Sequence, residues 1–172
     1  MAKEKTAQTG KKSKKKWIII GVIVFVVLAA IIGTSDDDAA TNGETVDTTV
    51  DIGAVEPNTS AMVDALAKVA KAAVADGITD TQRDEAMNFI VSNYPNFYEN
   101  NEIMEQAMTY GYMLDYGYTG NEDARVYADL GVDLVQAVKY VYRGAEAADD
   151  EATLINLEQV KESLQKLGYT VE

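Results

Sequence analysis

Residues 17–32 read WIIIGVIVFVVLAAII, with no charge and no polar face, and this run constrains the chain more than any other feature. Extended by Gly33 and Thr34, the stretch reaches 18 residues. As a helix it would be about 27 Å long, close to the roughly 30 Å core of a bilayer. A buried core helix is the other fold that could hold such a run, but the flanks argue against it. Lys14, Lys15 and Lys16 crowd one side, and Asp36, Asp37 and Asp38 follow the other. Lysine stems can snorkel to the surface, and tryptophan favours the interface. We therefore expect one transmembrane helix over 17–34, anchored by Lys14, Lys15, Lys16, Trp17, Ile18 and Ile32. The positive-inside rule puts residues 1–16 in the cytoplasm and everything after the span outside it. The competing reading is a cleaved signal peptide, with Val27-Leu28-Ala29 as the cleavage site. Such a cut would fall inside the apolar run, and both readings leave the remainder outside the cytoplasm.

Charge follows the same division. Seven lysines and one acid precede Trp17; from Trp17 onward there are eight basic residues and 27 acids, a balance of −19. The basic tail is explained as a topology signal held at the inner leaflet, at about 1 kcal/mol per lysine. The acidic remainder repels nucleic acid, so no nucleic-acid partner is expected, and a neutral or cationic one is favoured.

The chain has no cysteine and no histidine. Disulfides, thiolate metal sites, thiol nucleophiles and a Ser-His-Asp triad are thereby excluded. No phosphate-binding glycine loop or dinucleotide fingerprint is present either. No cofactor and no metal are expected.

Residues 35–58 are rich in Asp, Thr, Ala, Gly and Asn and hold no period of 3.6 or 2. They read as a flexible tether reaching about 25–30 Å as a random coil. Val46, Val50, Ile52 and Val55 hint at an extended piece that could dock on the domain. The Asp36-Asp37-Asp38 run lacks the spacing of a calcium loop.

Residues 59–172 carry five helical patterns, and the expected fold class is all-α: a small bundle of about five helices with short loops. The first covers 60–76, with Asn58, Thr59 or Ser60 as cap, Gly77 as terminator and a narrow stripe of Met62, Leu66, Val69, Ala70 and Ala73. The second covers 80–93, opened by the capping-box pattern Thr79-Asp80-Thr81-Gln82 and stopped by Pro95, with Ala86, Phe89 and Ile90 inward. Phe97 and Tyr98 can plug the bundle end. The third covers 101–116, with Ile103, Ala107, Tyr110 and Leu114 on one face. The fourth follows Asn121 as cap, repeats Tyr127, Leu130, Leu134, Val138 and Val141, and closes at Arg143 and Gly144. The fifth covers 150–167, with a near-heptad seam of Leu154, Leu157, Val160, Leu164 and Leu167, ended by Gly168.

Tyrosine is the unusual residue: ten, against one Trp and three Phe. Tyr110-Gly111-Tyr112 and Tyr116-Gly117-Tyr118 repeat a triplet six residues apart. Residues 110 and 112 point about 200° apart on a helix, so not all of these rings can face inward. Tyr110, Tyr112, Tyr116 and Tyr118 are the candidate partner-binding residues, because tyrosine gives contact area at small entropy cost and a hydroxyl that finds a partner. The plainer account has them filling space left by Gly111, Gly117 and Gly131.

Paired acids (Glu102 with Glu105, Asp129 with Asp133, Asp149 with Asp150) have no spacing that separates a catalytic pair from a solvated face. A Ser-Lys dyad is formally available at Ser163 and Lys166, on what reads as the exposed side of the last helix, a poor place to activate a serine.

In layout the chain resembles short anchored surface proteins of low-GC Gram-positive bacteria and their prophages. The lysine tail and span from Lys11 to Ile32 and the tether from Thr34 to Asp51 carry that likeness, which implies layout and no functional residue. Superinfection exclusion is one activity such a layout suggests. The expected function is a non-enzymatic, membrane-anchored interaction module that binds a surface protein or cell-wall component. An accessory subunit binding through its transmembrane helix is the alternative, and a carboxylate-dependent hydrolase is a third.

Overall fold

A computed structural model of the chain describes residues 51–172. The expected span, its anchor residues Lys14, Lys15, Lys16, Trp17, Ile18 and Ile32, and the tether as far as residue 50 lie outside the described residues. Among the described residues no helix is long and apolar enough to cross a membrane.

The described region is all-helical, with five α-helices and no strand: α1 (Ser60–Ala73), α2 (Asp80–Asn93), α3 (Asn101–Gly117), α4 (Arg125–Tyr142) and α5 (Glu151–Lys166). Two 3-10 turns, Ile52–Ala54 and Glu122–Ala124, precede α1 and α4. The start signals act as the residues suggest. Thr59 caps α1, its hydroxyl accepting from the Met62 amide at 3.2 Å. Thr79 and Gln82 form a full capping box on α2, and the buried Gln82 also donates to the Ala73 carbonyl at 3.1 Å. That bond ties the start of α2 to the end of α1. Asn100 and Asp150 cap α3 and α5.

Two terminators also behave as read. Gly144 and Gly168 adopt φ of 68° and 87°. In each case the following residue's amide reaches back to the third carbonyl from the helix end, Ala145 to Tyr140 and Tyr169 to Leu164, both at 2.9 Å. This is the left-handed closure that favours glycine.

Three local expectations change. α1 ends at Ala73 with Val74 as its cap residue, so Gly77 terminates a turn rather than the helix itself. Asn121 makes no side-chain cap and opens the 3-10 turn, and α4 begins only at Arg125. Ile52 is buried in a 3-10 turn against the core, so the folded part begins before residue 59, and the segment expected to be extended is a turn there.

Packing alternates direction along the chain. α3 lies centrally, with α1 parallel to it and α2 and α4 antiparallel; α5 packs antiparallel on α4. The main core holds Met87 and Ile90 of α2, Met108 and Leu114 of α3, Leu130, Leu134 and Val138 of α4, and Val160 and Leu164 of α5, closed by Phe97. A smaller cluster of Ala70, Val74 and Met113 joins α1 to α3.

The seam of α5 is corrected by one position. Thr153, Leu157, Val160 and Leu164 face inward, whereas Leu154 and Ile155 are 51% and 54% exposed. The buried set advances by four, three and four residues, and Leu154 sits about 90° away from its mean direction.

Candidate functional site

The four candidate tyrosines leave α3 in different directions, and all four are half-buried. Tyr110 turns toward α2, its ring centroid 5.2 Å from that of Phe89. Tyr112 and Tyr116, one turn apart, stack nearly parallel at 5.7 Å and 10° on the side of α3 that meets α1. Tyr118 lies just past the helix end and stacks on Tyr127 of α4 at 4.9 Å and 21°. They form two stacked pairs and one aromatic core contact, not one continuous patch.

The glycines of the triplets do not leave room for these rings. Gly111 faces α4, and a side-chain carbon there would meet the Gly131 carbonyl at 2.9 Å and Val135 Cγ2 at 2.8 Å. Gly117 lies equally close to Ile78. The small residues bring backbones together, so the space-filling account of the tyrosines is corrected: they sit beside these contacts.

One cation lies over the first pair, and two others lie over Tyr140. Lys71 Nζ of α1 lies 5.9 Å from the centre of the Tyr116 ring. Arg143 donates to Ser60 Oγ of α1 at 2.9 Å, and its guanidinium and Lys139 Nζ each lie 4.9 Å from the Tyr140 ring centre. Each such contact at an exposed site is worth about 0.5–1 kcal/mol. With Tyr112 on one face of Tyr116 and Lys71 over the ring, a ligand would meet mainly ring edges and hydroxyls.

Those hydroxyls keep their protons. Burial pushes the Tyr112 phenol up to about 12, with Tyr116, Asp64 and Asp115 adding to the rise and Arg143 opposing it. Burial also raises Tyr116, assisted by Asp115, and Tyr110, assisted by Glu85. In Tyr118 burial raises the phenol while Arg83 works the other way. At neutral pH each is a hydrogen-bond donor as well as an acceptor.

Tyr98 and Tyr142 are structural. Tyr142 is buried and donates to Glu105 Oε1 at 2.6 Å; Tyr98 donates to the Ala137 carbonyl at 3.0 Å. Glu105 therefore has a packing role, and Asp150 is a helix cap accepting from the Ala152 amide at 3.0 Å. Asp129 lies 3.8 Å from Arg125. Among the described residues no group of three or more acids is placed to hold a metal ion.

The Ser-Lys pair is corrected in one respect. Ser163 is 3% exposed and lines a surface hollow between α4 and α5, whereas Lys166 is exposed at the same hollow. A second hollow, where α3 gives way to α4, shares Asp129 and Val132 with the first. Sequence spacing gives no sign of either: the first forms where two helices meet, and the second in the bend between α3 and α4.

Compared with known proteins, the chain matches no family model, no curated protein and no solved structure.

Proposed function

We propose that the protein is a membrane-anchored interaction module whose helical domain stands outside the cytoplasm and binds a surface protein or wall component without catalysis. The observation that carries the reading is the Tyr112–Tyr116 stack, half-buried and flanked by Lys71. Ordered, partly exposed aromatics lose little entropy on binding and favour contact surfaces. The uncharged run at 17–32 with lysines before it supports the anchor. The proposed contact is centred on Tyr112 and Tyr116; Tyr110 is committed to Phe89, and Tyr118 to Tyr127.

The test uses the full chain in intact cells. Surface cross-linking is compared for the wild type and a Tyr112→Ala/Tyr116→Ala variant, with membrane extraction and melting measured for both. The proposal expects equal membrane retention, a folded variant and loss of the cross-linked partner. A folded variant that still captures the partner moves the contact away from these tyrosines. Replacing the span with an unrelated apolar helix separates the subunit reading: a module keeps its partner, and a span-mediated subunit loses it.

A further inference from the structure

Three cations of this acidic domain rest on tyrosine rings instead of on carboxylates. Lys71 Nζ lies 5.9 Å from the Tyr116 ring centre, and Lys139 Nζ and the Arg143 guanidinium each lie 4.9 Å from that of Tyr140. None of the three forms a salt bridge among the described residues, although 27 acids face eight basic residues from Trp17 onward. The tyrosine stack joins them. Tyr116 stacks on Tyr112, the Arg143 charge acts on the Tyr112 phenol, and Arg143 donates to Ser60 Oγ of α1 at 2.9 Å. The result is a strip across α1, α3 and α4, with Lys71 at one end and Arg143 at the other. Ser60 and Lys71 share one face of α1 three turns apart, which separates the two ends by about 16 Å.

Every group that the strip offers can donate a hydrogen bond or presents a positive edge. Ammonium and guanidinium donate only, the Tyr112 and Tyr116 phenols hold their protons, and the rim of an aromatic ring is its positive part. A carboxylate is the complementary group. Phosphate and polyanions fit less well, because the chain from Trp17 onward carries −19 and Asp64 and Asp115 border Tyr112. A sugar ring needs an open aromatic face, whereas Tyr112 stacks on Tyr116 and cations lie over Tyr116 and Tyr140. An extended polypeptide meets both ends. At about 3.3 Å per residue, side chains four residues apart point the same way and stand about 13 Å apart, and their own length covers the rest.

We propose that the strip from Lys71 through Tyr116 and Tyr112 to Arg143 receives an extended polypeptide segment with two carboxylate side chains four residues apart, one held at Lys71 and the other at Arg143. Ser60 and Tyr140 fix the Arg143 side chain for that contact. The inference rests on the reading of the Tyr112–Tyr116 stack as the contact surface, and it names the chemistry of the partner.

The test is titration of the full, ¹⁵N-labelled chain in detergent micelles with acetyl-Glu-Thr-Thr-Thr-Glu-amide, with its Gln-for-Glu counterpart, and with glucuronic acid. The acidic peptide is expected to shift amides of residues 60–71, 112–116 and 140–143 saturably, about tenfold more tightly than the neutral peptide, and less so as salt rises. Lys71→Met and Arg143→Met are each expected to weaken it about threefold, the size of one exposed charge pair. Asp64→Asn strengthens it, and Lys161→Met, on α5, leaves it unchanged. Lys71 is exposed, so its variant serves even if the loss of Arg143 disturbs the fold. The proposal is overturned if the neutral peptide binds equally, if Lys71→Met has no effect, if Asp64→Asn weakens binding, or if glucuronic acid binds more tightly than the peptide. Absence of peptide binding, with the surface partner still lost from Tyr112→Ala/Tyr116→Ala in cells, overturns this inference and leaves the contact reading standing. Peptide binding as described, with the partner retained by that variant, supports the strip and removes the contact reading.

Discussion

Gly131 of α4 sits against the backbone of Gly111 of α3, so close that a side-chain carbon on Gly131 would overlap the Gly111 carbonyl oxygen and come within 2.7 Å of the Asp115 amide nitrogen. The obstructing atoms are backbone, which cannot rotate aside. Alanine normally favours a helix over glycine by about 1 kcal/mol. Overpacking a tight contact costs about 1–3 kcal/mol or more. The two effects oppose each other, and rigid backbone decides the sign. Gly131→Ala is expected to destabilise the domain by about 2 kcal/mol net, lowering the thermal midpoint by roughly 10 °C. Calorimetry on wild type and variant checks this, and an unchanged or raised midpoint would mean the helices part without cost.

Thr153 carries the opposite kind of defect. Its Oγ1 is buried with no hydrogen-bond partner, in a side chain only 1% exposed. Desolvating an unpaired hydroxyl costs about 1–3 kcal/mol. Valine has the same branched shape without the oxygen, and similar helix propensity. Thr153→Val is expected to stabilise the domain by about 1 kcal/mol in urea denaturation with an unchanged slope. Destabilisation would show that the hydroxyl is satisfied in solution.

Single helices show which parts of the fold the residues reveal by themselves. The capping box at Thr79 and Gln82, the closures at Gly144 and Gly168 and the stripe of Leu130, Leu134 and Val138 are local or strictly periodic, and each forms as read. α5 misleads because Leu154 completes an apolar seam by residue type, while the helix is rotated to bury Thr153 in its place. Only the neighbouring helix decides that rotation. The pairing of Gly111 with Gly131 is hidden for a related reason: nothing along the chain says which glycines on two helices will meet. The tyrosines were half legible. Helical geometry forbids burying all of them together, and they do diverge, but their stacking partners Tyr127 and Phe89 come from other helices.

The displaced seam makes a paired prediction. Leu157→Ala removes a buried side chain from the core and is expected to cost about 2–4 kcal/mol. Leu154→Ala, at a side chain half open to water, is expected to change stability by about 0.5 kcal/mol or less. Equal effects in denaturant melts would restore the near-heptad seam and overturn the observed rotation of α5.

Tyr98 and Tyr142 are raised above the ordinary phenol range, burial being the main cause in both, and Tyr112 is pushed up to about 12. In the unfolded chain these phenols ionise near pH 10. Because the folded values are higher, the folded state holds protons that the unfolded state releases. The associated stability is fully present below about pH 10 and drains away as pH rises through the folded values. Urea midpoints are therefore expected to be nearly level from pH 8 to about 9.5, then to fall steeply toward pH 12. Absorbance at 295 nm should show ionisation of the buried phenols only as the fold is lost. The Tyr142→Phe variant separates this from general charge repulsion. It loses the hydrogen bond to Glu105, so its stability at pH 8 should be lower by about 1–2 kcal/mol, yet its alkaline decline should be shallower. A variant with an equally steep decline would assign the effect to repulsion among the acids.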